Sequence, residues 1–297
     1  MGLDNTAAQV LSGARAIGAD FKSTMMVGRQ WLLANPTLVD EIARVHGVQA
    51  PPRDPADRFA EPFFRMLGAR NIDSIDYSDY ESASIVHDLN QPLPPELRAQ
   101  YDVVFDGGTL EHVFNFPTAL KSCLEMVRVG GLFVQVSNAN NFMGHGFWQI
   151  SPELMYRSLS EANGFEVVTV MLRELREATP HGRLHAPFRL AKDTNKLGWR
   201  VELVNRRPTY IITIARRVSD VPIFASPPQQ SDYERYWETG QPAVSGGSGP
   251  TLRTRLIAGI RKLVPAEVER SIRPPFANKA YQRVTADAVM RGRFPRQ

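Results

Sequence analysis

The sequence predicts an α/β domain built on a mostly parallel sheet with helices on both faces. One observation is the stretch Tyr101–Asn115, YDVVFDGGTLEHVFN. Its apolar run Val103–Phe105 reads as a buried strand, and it stops at Asp106-Gly107-Gly108, where glycine lets the backbone turn sharply beside a ligand. A second is Gly130-Gly131, which opens another apolar run, LFVQVSN, ending in Asn138, Asn140 and Asn141. A helical segment, Pro117 to Val127, joins the two strands into a βαβ unit, and such sheets bind ligands outside the carboxyl ends of their strands. A third is the succession Asp76, Asp88, Asp106, each acid closing an apolar segment.

Taken in order, Met1–Asp20 is small, polar and Ala-rich, and is expected to form a short helical arm. Ser23–Gln30, STMMVGRQ, is the first strand of the domain, ending at Gly28. Asn35 caps a helix from Pro36 to about Val45. Ala56–Leu67 reads as a further helix with Phe59, Phe63, Phe64 and Leu67 on its apolar side. Asn71–Tyr77 and Ser84–Leu89 are the second and third strands. Beyond the fifth strand, Ser151 and Pro152 start a helix. Phe165–Leu172 and Tyr210–Ala215 have the apolar content of the last two strands. Between them, Arg173–Arg207 is polar, with His181 and His185, and reads as a substrate lid or a solvated loop. Residues 218–250 are rich in Pro, Gly and Ser and read as a linker in which Tyr233, Tyr236 and Trp237 can dock. In the tail, Thr251–Val264 places Leu252, Leu256, Ile260 and Leu263 on one helical face among Arg253, Arg255, Arg261 and Lys262. Such a helix can lie on an anionic membrane surface, pack on its own domain or meet a second subunit. The expected division is therefore an arm (1–20), a domain (21–217), a linker (218–250) and a basic helical tail (251–297).

At 297 residues with 43% hydrophobic content, the chain can hold one large domain with appendages or two small ones. Its single cysteine, Cys123, excludes an intramolecular disulfide and a cysteine-rich zinc site, and a reducing cytoplasm is expected. No apolar stretch is long enough to span a bilayer, and the start shows no basic-then-apolar leader. Residues 251–297 carry eleven Lys and Arg against three acids, a formal +8, leaving −4 for the first 250 residues. The basic balance belongs to the tail, so no nucleic-acid partner is expected at the strand ends.

The pattern of an apolar strand ending in Asp, a Gly turn, Leu-Glu-His-Val, a helix and then Val-x-x-Gly-Gly-Leu-Phe-Val resembles the fourth and fifth strands of the class I S-adenosylmethionine-dependent methyltransferases. The resemblance covers about Ser23–Arg217. It implies a Rossmann-like, mostly parallel seven-stranded sheet, S-adenosylmethionine as cofactor, and methyl transfer to an acceptor; the helical arm Met1–Asp20, outside the resemblance, is read as a cover for the cofactor site. Around the donor it implies Gly28, Arg29 and Gln30 after the first strand and Asp76 with Tyr77 at the ribose. Asp88 and Leu89 would face the adenine, and Asp106, Gly107 and Gly108 follow the fourth strand. The first turn departs from the family, keeping only Gly28 where several glycines and an acid are expected.

A hydroxyl acceptor needs a base, and a histidine near neutral pKa suits that task. Two histidines qualify. His112 follows the fourth strand directly and serves either as base or as an orienting residue; His145 lies between Gly144 and Gly146, beside Phe147 and Trp148, as a substrate contact or base. Glu111 orients an imidazole or binds a substrate hydroxyl. Asn138, Asn140, Asn141 and Gln149 suit a hydroxyl-rich acceptor such as a sugar or glycan. No metal site is expected among Asp102, Asp106, Glu111 and His112, since strand alternation aims Asp102 away from the loop partners of Asp106 and a Gly-rich turn intervenes. The rival expectations are a binding or scaffold protein that kept the fold and lost catalysis, and an assembly module acting through its tail.

Overall fold

The computed structural model describes residues 2–52, 57–175, 186–240, 276 and 279–295. The chain opens with β1 (Gly2–Leu3), α1 (Asn5–Ala16), β2 (Ser23–Val27), β3 (Trp31–Leu32), α2 (Pro36–His46) and α3 (Glu61–Met66). It continues through β4 (Asn71–Asp76), β5 (Ile85–Val86), β6 (Tyr101–Asp106), α4 (Phe116–Met126), β7 (Val127–Asn140) and α5 (Pro152–Ser158). Then come β8 (Phe165–Glu174), β9 (Phe188–Ala191), α6 (Thr194–Leu197), β10 (Thr209–Arg217), α7 (Ser231–Thr239), β11 (Tyr281–Val284) and α8 (Ala286–Met290).

The main sheet has the order β11-β9-β8-β10-β7-β6-β2-β4-β5. β5, β4, β2, β6 and β7 are mutually parallel, and β10 inserts antiparallel between β7 and β8. Period-two alternation sorts the strand residues onto two cores. Met26, Val103, Phe105, Val134 and Ile212 face the layer of α1, α2, α3 and α8. Met25, Val27, Val104, Phe133 and Ile211 face α4 and α5. Helices thus cover both faces, as the sequence pattern requires.

Among the described residues the sheet has nine strands where seven are expected. The two additional ones are β9, inside the segment read as a lid or solvated loop, and β11, inside the tail, and they pair with each other antiparallel. Phe188 and Leu190 of β9 are fully buried, and Arg173 lies 4.5 Å over the Phe188 ring while donating to Gln9 Oε1 at 2.7 Å. α8 buries Val289 and Met290 against α1, where Ser12 Oγ donates to the Met290 carbonyl at 3.0 Å. Residues 281–290 therefore belong to the same packed unit as the sheet, across the linker and tail boundaries drawn from composition.

α1 is no peripheral arm. Every residue from Asn5 to Ala14 is buried, because Ala7, Ala8, Gly13 and Ala14 let the helix sit flush between the sheet and α8. Asp4 caps it, accepting from the Thr6 and Ala7 N–H groups. The proposed linker contains α7, which docks through polar groups: Arg200 pairs with Asp232, and Arg235 donates to the Asn195 carbonyl. Tyr233, Tyr236 and Trp237 stay about half exposed or more. α3 is shorter than expected, and β5 is only two residues long. The basic stretch 251–264, His181 and His185 lie outside the described residues. Among the described residues no helix is long and apolar enough to cross a membrane.

Candidate functional site

β4, β2, β6 and β7 deliver their carboxyl ends to one rim. β2 has β4 on one side and β6 on the other, so the connections leave in opposite directions and open a crevice at that point.

At the end of β2, Gly28 adopts φ 70° and donates its N–H to the Ile75 carbonyl at 2.7 Å. Arg29 points into a structural network: Nε meets Glu61 Oε1 at 2.8 Å, Nη1 meets the Glu81 carbonyl at 2.8 Å, and the guanidinium sits 3.6 Å over Phe59. Gln30 folds back and is fully buried, its Nε2 donating to the carbonyls of Val27 and Gly28 at 2.9 and 3.0 Å. Its Oε1 has no hydrogen-bond partner among the described residues and faces Gly107, where a Cβ would come within 2.6 Å of it. Thr109 Oγ1 ties the two turns together by donating to the Val27 carbonyl.

Asp76 ends β4 with its Oδ1 accepting the Tyr77 N–H at 2.7 Å, beside the exposed rings of Tyr77 and Tyr80. Asp88 accepts from the Asn90 N–H and Nδ2, which hold its carboxyl below the usual range, and Leu89 is buried in the α4 core. Asp106 is fully buried. Its Oδ1 accepts from Thr109 N–H at 2.8 Å and its Oδ2 from Gln135 Nε2 at 2.9 Å, yet burial pushes its pKa up.

The next turn, Leu110–His112, aims Glu111 inward and His112 outward. Glu111 is 1% exposed and accepts from Ser137 Oγ at 2.9 Å. Burial, then the neighbouring charge of Asp106, pushes its pKa up to about 8. The loop after β7 returns onto this turn. Phe147 and Trp148 donate their N–H groups to the Glu111 carbonyl at 2.7 and 3.2 Å, and Trp148 Nε1 donates to the Val113 carbonyl at 3.0 Å. Gly146 makes that approach possible: at φ 75°, a Cβ would come within 2.7 Å of the Glu111 oxygen.

His145 is thereby brought to Glu111, with Nε2 3.9 Å from Oε1, and its ring centroid is 4.9 Å from that of His112. Glu111, His112 and His145 each offer one ligand atom within 4.8 Å of the others. Sequence spacing gave no metal cluster here, because His145 is remote in the chain. Burial, then the His145 ring, holds the His112 pKa below the ordinary imidazole value. Asp102 sits at the opposite end of β6, accepting the Ser23 N–H and pairing with Arg128.

The asparagines expected to meet a sugar are engaged internally. Asn138 Nδ2 donates to the His145 carbonyl, and Asn140 and Asn141 both donate to Asn205 Oδ1 at 2.7 Å. The turn and loop that carry the two imidazoles also expose the large apolar side chains Phe114, Met143, Phe147 and Trp148, beside exposed Asn141 and Gln149, with Phe114 and Phe147 in edge contact at 5.9 Å. Phe114 escaped the sequence reading, although it follows the Leu-Glu-His-Val motif directly. His46 bonds Ser12 Oγ at 2.8 Å, away from this cluster. A separate cavity of about 240 Å³, bordered by Glu153, Trp199, Arg200, Asp232 and Arg235, shares no lining residue with the rim.

No family model and no curated protein sequence matches the chain. The solved structures similar to it include the 1,6-didemethyltoxoflavin N1-methyltransferase of Burkholderia thailandensis, at 13% identity over 72% of this chain and 79% of that one, with a TM-score of 0.38. A SAM-dependent methyltransferase from Aquifex aeolicus overlaps 71% of this chain and 93% of its own at 11% identity and a TM-score of 0.34. The cyclase SpnF overlaps 57% and 61% at 15% identity and a TM-score of 0.33. The strand arrangement, parallel through β5-β4-β2-β6-β7 and closed by antiparallel β10, is Rossmann-like, as expected from the sequence.

Proposed function

We propose that the chain is an S-adenosylmethionine-dependent methyltransferase acting on a hydroxyl of a small molecule or a sugar, glycans included. The observation that carries this reading is the convergence of Gly28, Asp76 and the Asp106-Gly107-Gly108 turn at the switch point of the sheet, with Glu111, His112 and His145 directly beside it. One observation fits the cofactor: Asp76, at the end of β4, has an Oδ2 that carries no hydrogen bond among the described residues, whereas Gly107 is packed against Gln30 and Phe105.

Bound S-adenosylmethionine supplies a methyl group already activated by its sulfonium, so the protein's part is largely positional. Asp76 would accept hydrogen bonds from the ribose hydroxyls, and the Gly107-Gly108 turn would border the donor. Asp106 holds that turn through its backbone hydrogen bonds. His112, kept neutral by its depressed pKa, or His145 in the open loop takes the proton of the acceptor hydroxyl. Glu111 orients His145. Phe114, Phe147 and Trp148 present flat faces on which a sugar or aromatic ring can stack.

Calorimetric titration of the purified protein with S-adenosylmethionine and S-adenosylhomocysteine tests the cofactor. Micromolar binding weakened at least tenfold by Asp76→Ala is expected; a folded protein that binds neither removes the reading. A panel of glycans, nucleotide sugars and small hydroxylated acceptors then tests the acceptor class. A second reading is favoured by the glycine-poor turn after β2, where buried Gln30 stands in place of open backbone: a binding protein that retains the fold without transfer. Methyl turnover on any acceptor eliminates it. A cytoplasmic location, and contact of residues 251–264 with an anionic membrane or a second subunit, complete the proposal. Vesicle co-sedimentation and sedimentation velocity test those contacts.

A further inference from the structure

We infer that Glu111, His112 and His145 form a binding site for a first-row divalent transition-metal ion. The three side chains bring one carboxylate oxygen and two imidazole nitrogens within 4.8 Å of one another. Around a bound ion, with bonds near 2.0–2.1 Å, such donors stand roughly 3 Å apart. A small contraction therefore completes the set, and the exposed rings of His112 and His145 are free to make it.

The site is built rather than accidental. Glu111 and His112 come from one turn, and the loop that carries the third donor is clamped to it. The Phe147 and Trp148 N–H groups donate to the Glu111 carbonyl, Trp148 Nε1 to the Val113 carbonyl and Asn138 Nδ2 to the His145 carbonyl. Ser137 Oγ holds Glu111 Oε2 at 2.9 Å, an outer hydrogen bond of the kind that orients ligating carboxylates. Glu111 is also buried next to buried Asp106, and among the described residues no Lys or Arg is paired with either carboxylate. A cation at the mouth of this pair supplies the charge that the protein does not.

The donor set selects the metal. Two imidazoles with one carboxylate suit Zn²⁺, Mn²⁺, Fe²⁺, Co²⁺ or Ni²⁺, whereas Mg²⁺ and Ca²⁺ favour oxygen-only shells. Three protein ligands leave open positions, and here these face solvent and the Phe114–Phe147 surface, where water or an oxygen of a small ligand can complete the shell. The site stands on side-chain geometry alone and does not require the cofactor.

The test uses untagged, full-length protein stripped with EDTA and titrated with Zn²⁺, Mn²⁺ and Co²⁺ by calorimetry, with Co²⁺ also followed by its visible absorption. One equivalent is expected to bind at micromolar Kd or tighter, at least tenfold more tightly than Mg²⁺. His145→Ala and His112→Ala should each weaken binding tenfold or more while the circular dichroism spectrum is unchanged, and His46→Ala should leave it intact. Failure of all three metals to bind, Mg²⁺ binding as tightly, or affinity indifferent to His145→Ala and His112→Ala overturns the site. Because no S-adenosylmethionine is present, the outcome is separate from that of cofactor binding; an imidazole that ligates the ion has no lone pair left, so His112 or His145 serves as base only in the metal-free protein.

Discussion

His145 Nε2 lies 3.9 Å from Glu111 Oε1, joining two residues more than thirty positions apart. The contact makes His145 the imidazole that Glu111 can orient, while His112 projects from the same turn. On the proposed reaction, His145→Ala should lower kcat about a hundredfold, within the range for loss of a general base. The Kd for S-adenosylmethionine should change little, since Asp76 and the Gly107 turn are untouched. Steady-state kinetics with a methylated-product readout checks both numbers.

Glu111 gives the protein a pH dependence of known sign. An unfolded glutamate releases its proton near 4.5, whereas the folded one holds it up to about 8. The folded state thus binds more protons between those values, so stability falls as pH rises from about 4.5 to about 8 and stays reduced above. Glu111→Gln removes the dependence. Its urea midpoint relative to the native chain should be clearly more favourable at pH 8.5 than at pH 4.5, measured in EDTA so that no metal ionises the carboxyl. An unchanged difference across the range would refute burial as the dominant influence on Glu111.

Gly146 is the hinge of the loop that carries His145. With φ 75° and the Glu111 carbonyl 2.7 Å from where a Cβ would stand, Gly146→Ala meets backbone that cannot yield cheaply. A loss of about 1–3 kcal/mol is expected from strain and loop undocking. Urea denaturation measures it, and the neighbouring Gly144→Ala, where a Cβ meets nothing within 4 Å, is the control.

Much of the frame was legible because it rests on local signals. Apolar runs stopped by glycine located β2 and β6, a run opened by Gly130-Gly131 located β7, and caps at Asn35 and Ser151 located α2 and α5. The acids Asp76 and Asp106 do close their strands. What escaped was long-range. The pairing of β9 with β11 joins segments some ninety residues apart, one of them rich in arginine, and no period within either announces the other. α1 looked peripheral because Ala, Ser and Thr are weakly hydrophobic, although their small size is what lets it be buried on every side. The Glu111–His145 approach depends on the path of a glycine loop, which spacing does not encode.

Composition reads residues 251–297 as a basic helical tail that can pack on its own domain, meet a second subunit or lie on a membrane, and it points to no strand there. β11 instead pairs with β9, and α8 places Val289 and Met290 against α1 with Gly13 pressed to the Val289 carbonyl. Burying a side chain of that size contributes about 1.5–3 kcal/mol. With Val284 and Ala286 also lost, the sum is comparable to the whole stability of an ordinary domain, about 5–15 kcal/mol. A chain ending at residue 279 should therefore lose its cooperative thermal transition and expose α1 to limited proteolysis. The milder Val289→Ala should lower the urea midpoint without abolishing the transition. A truncated chain that melts like the full one would return the tail to the status of an appendage.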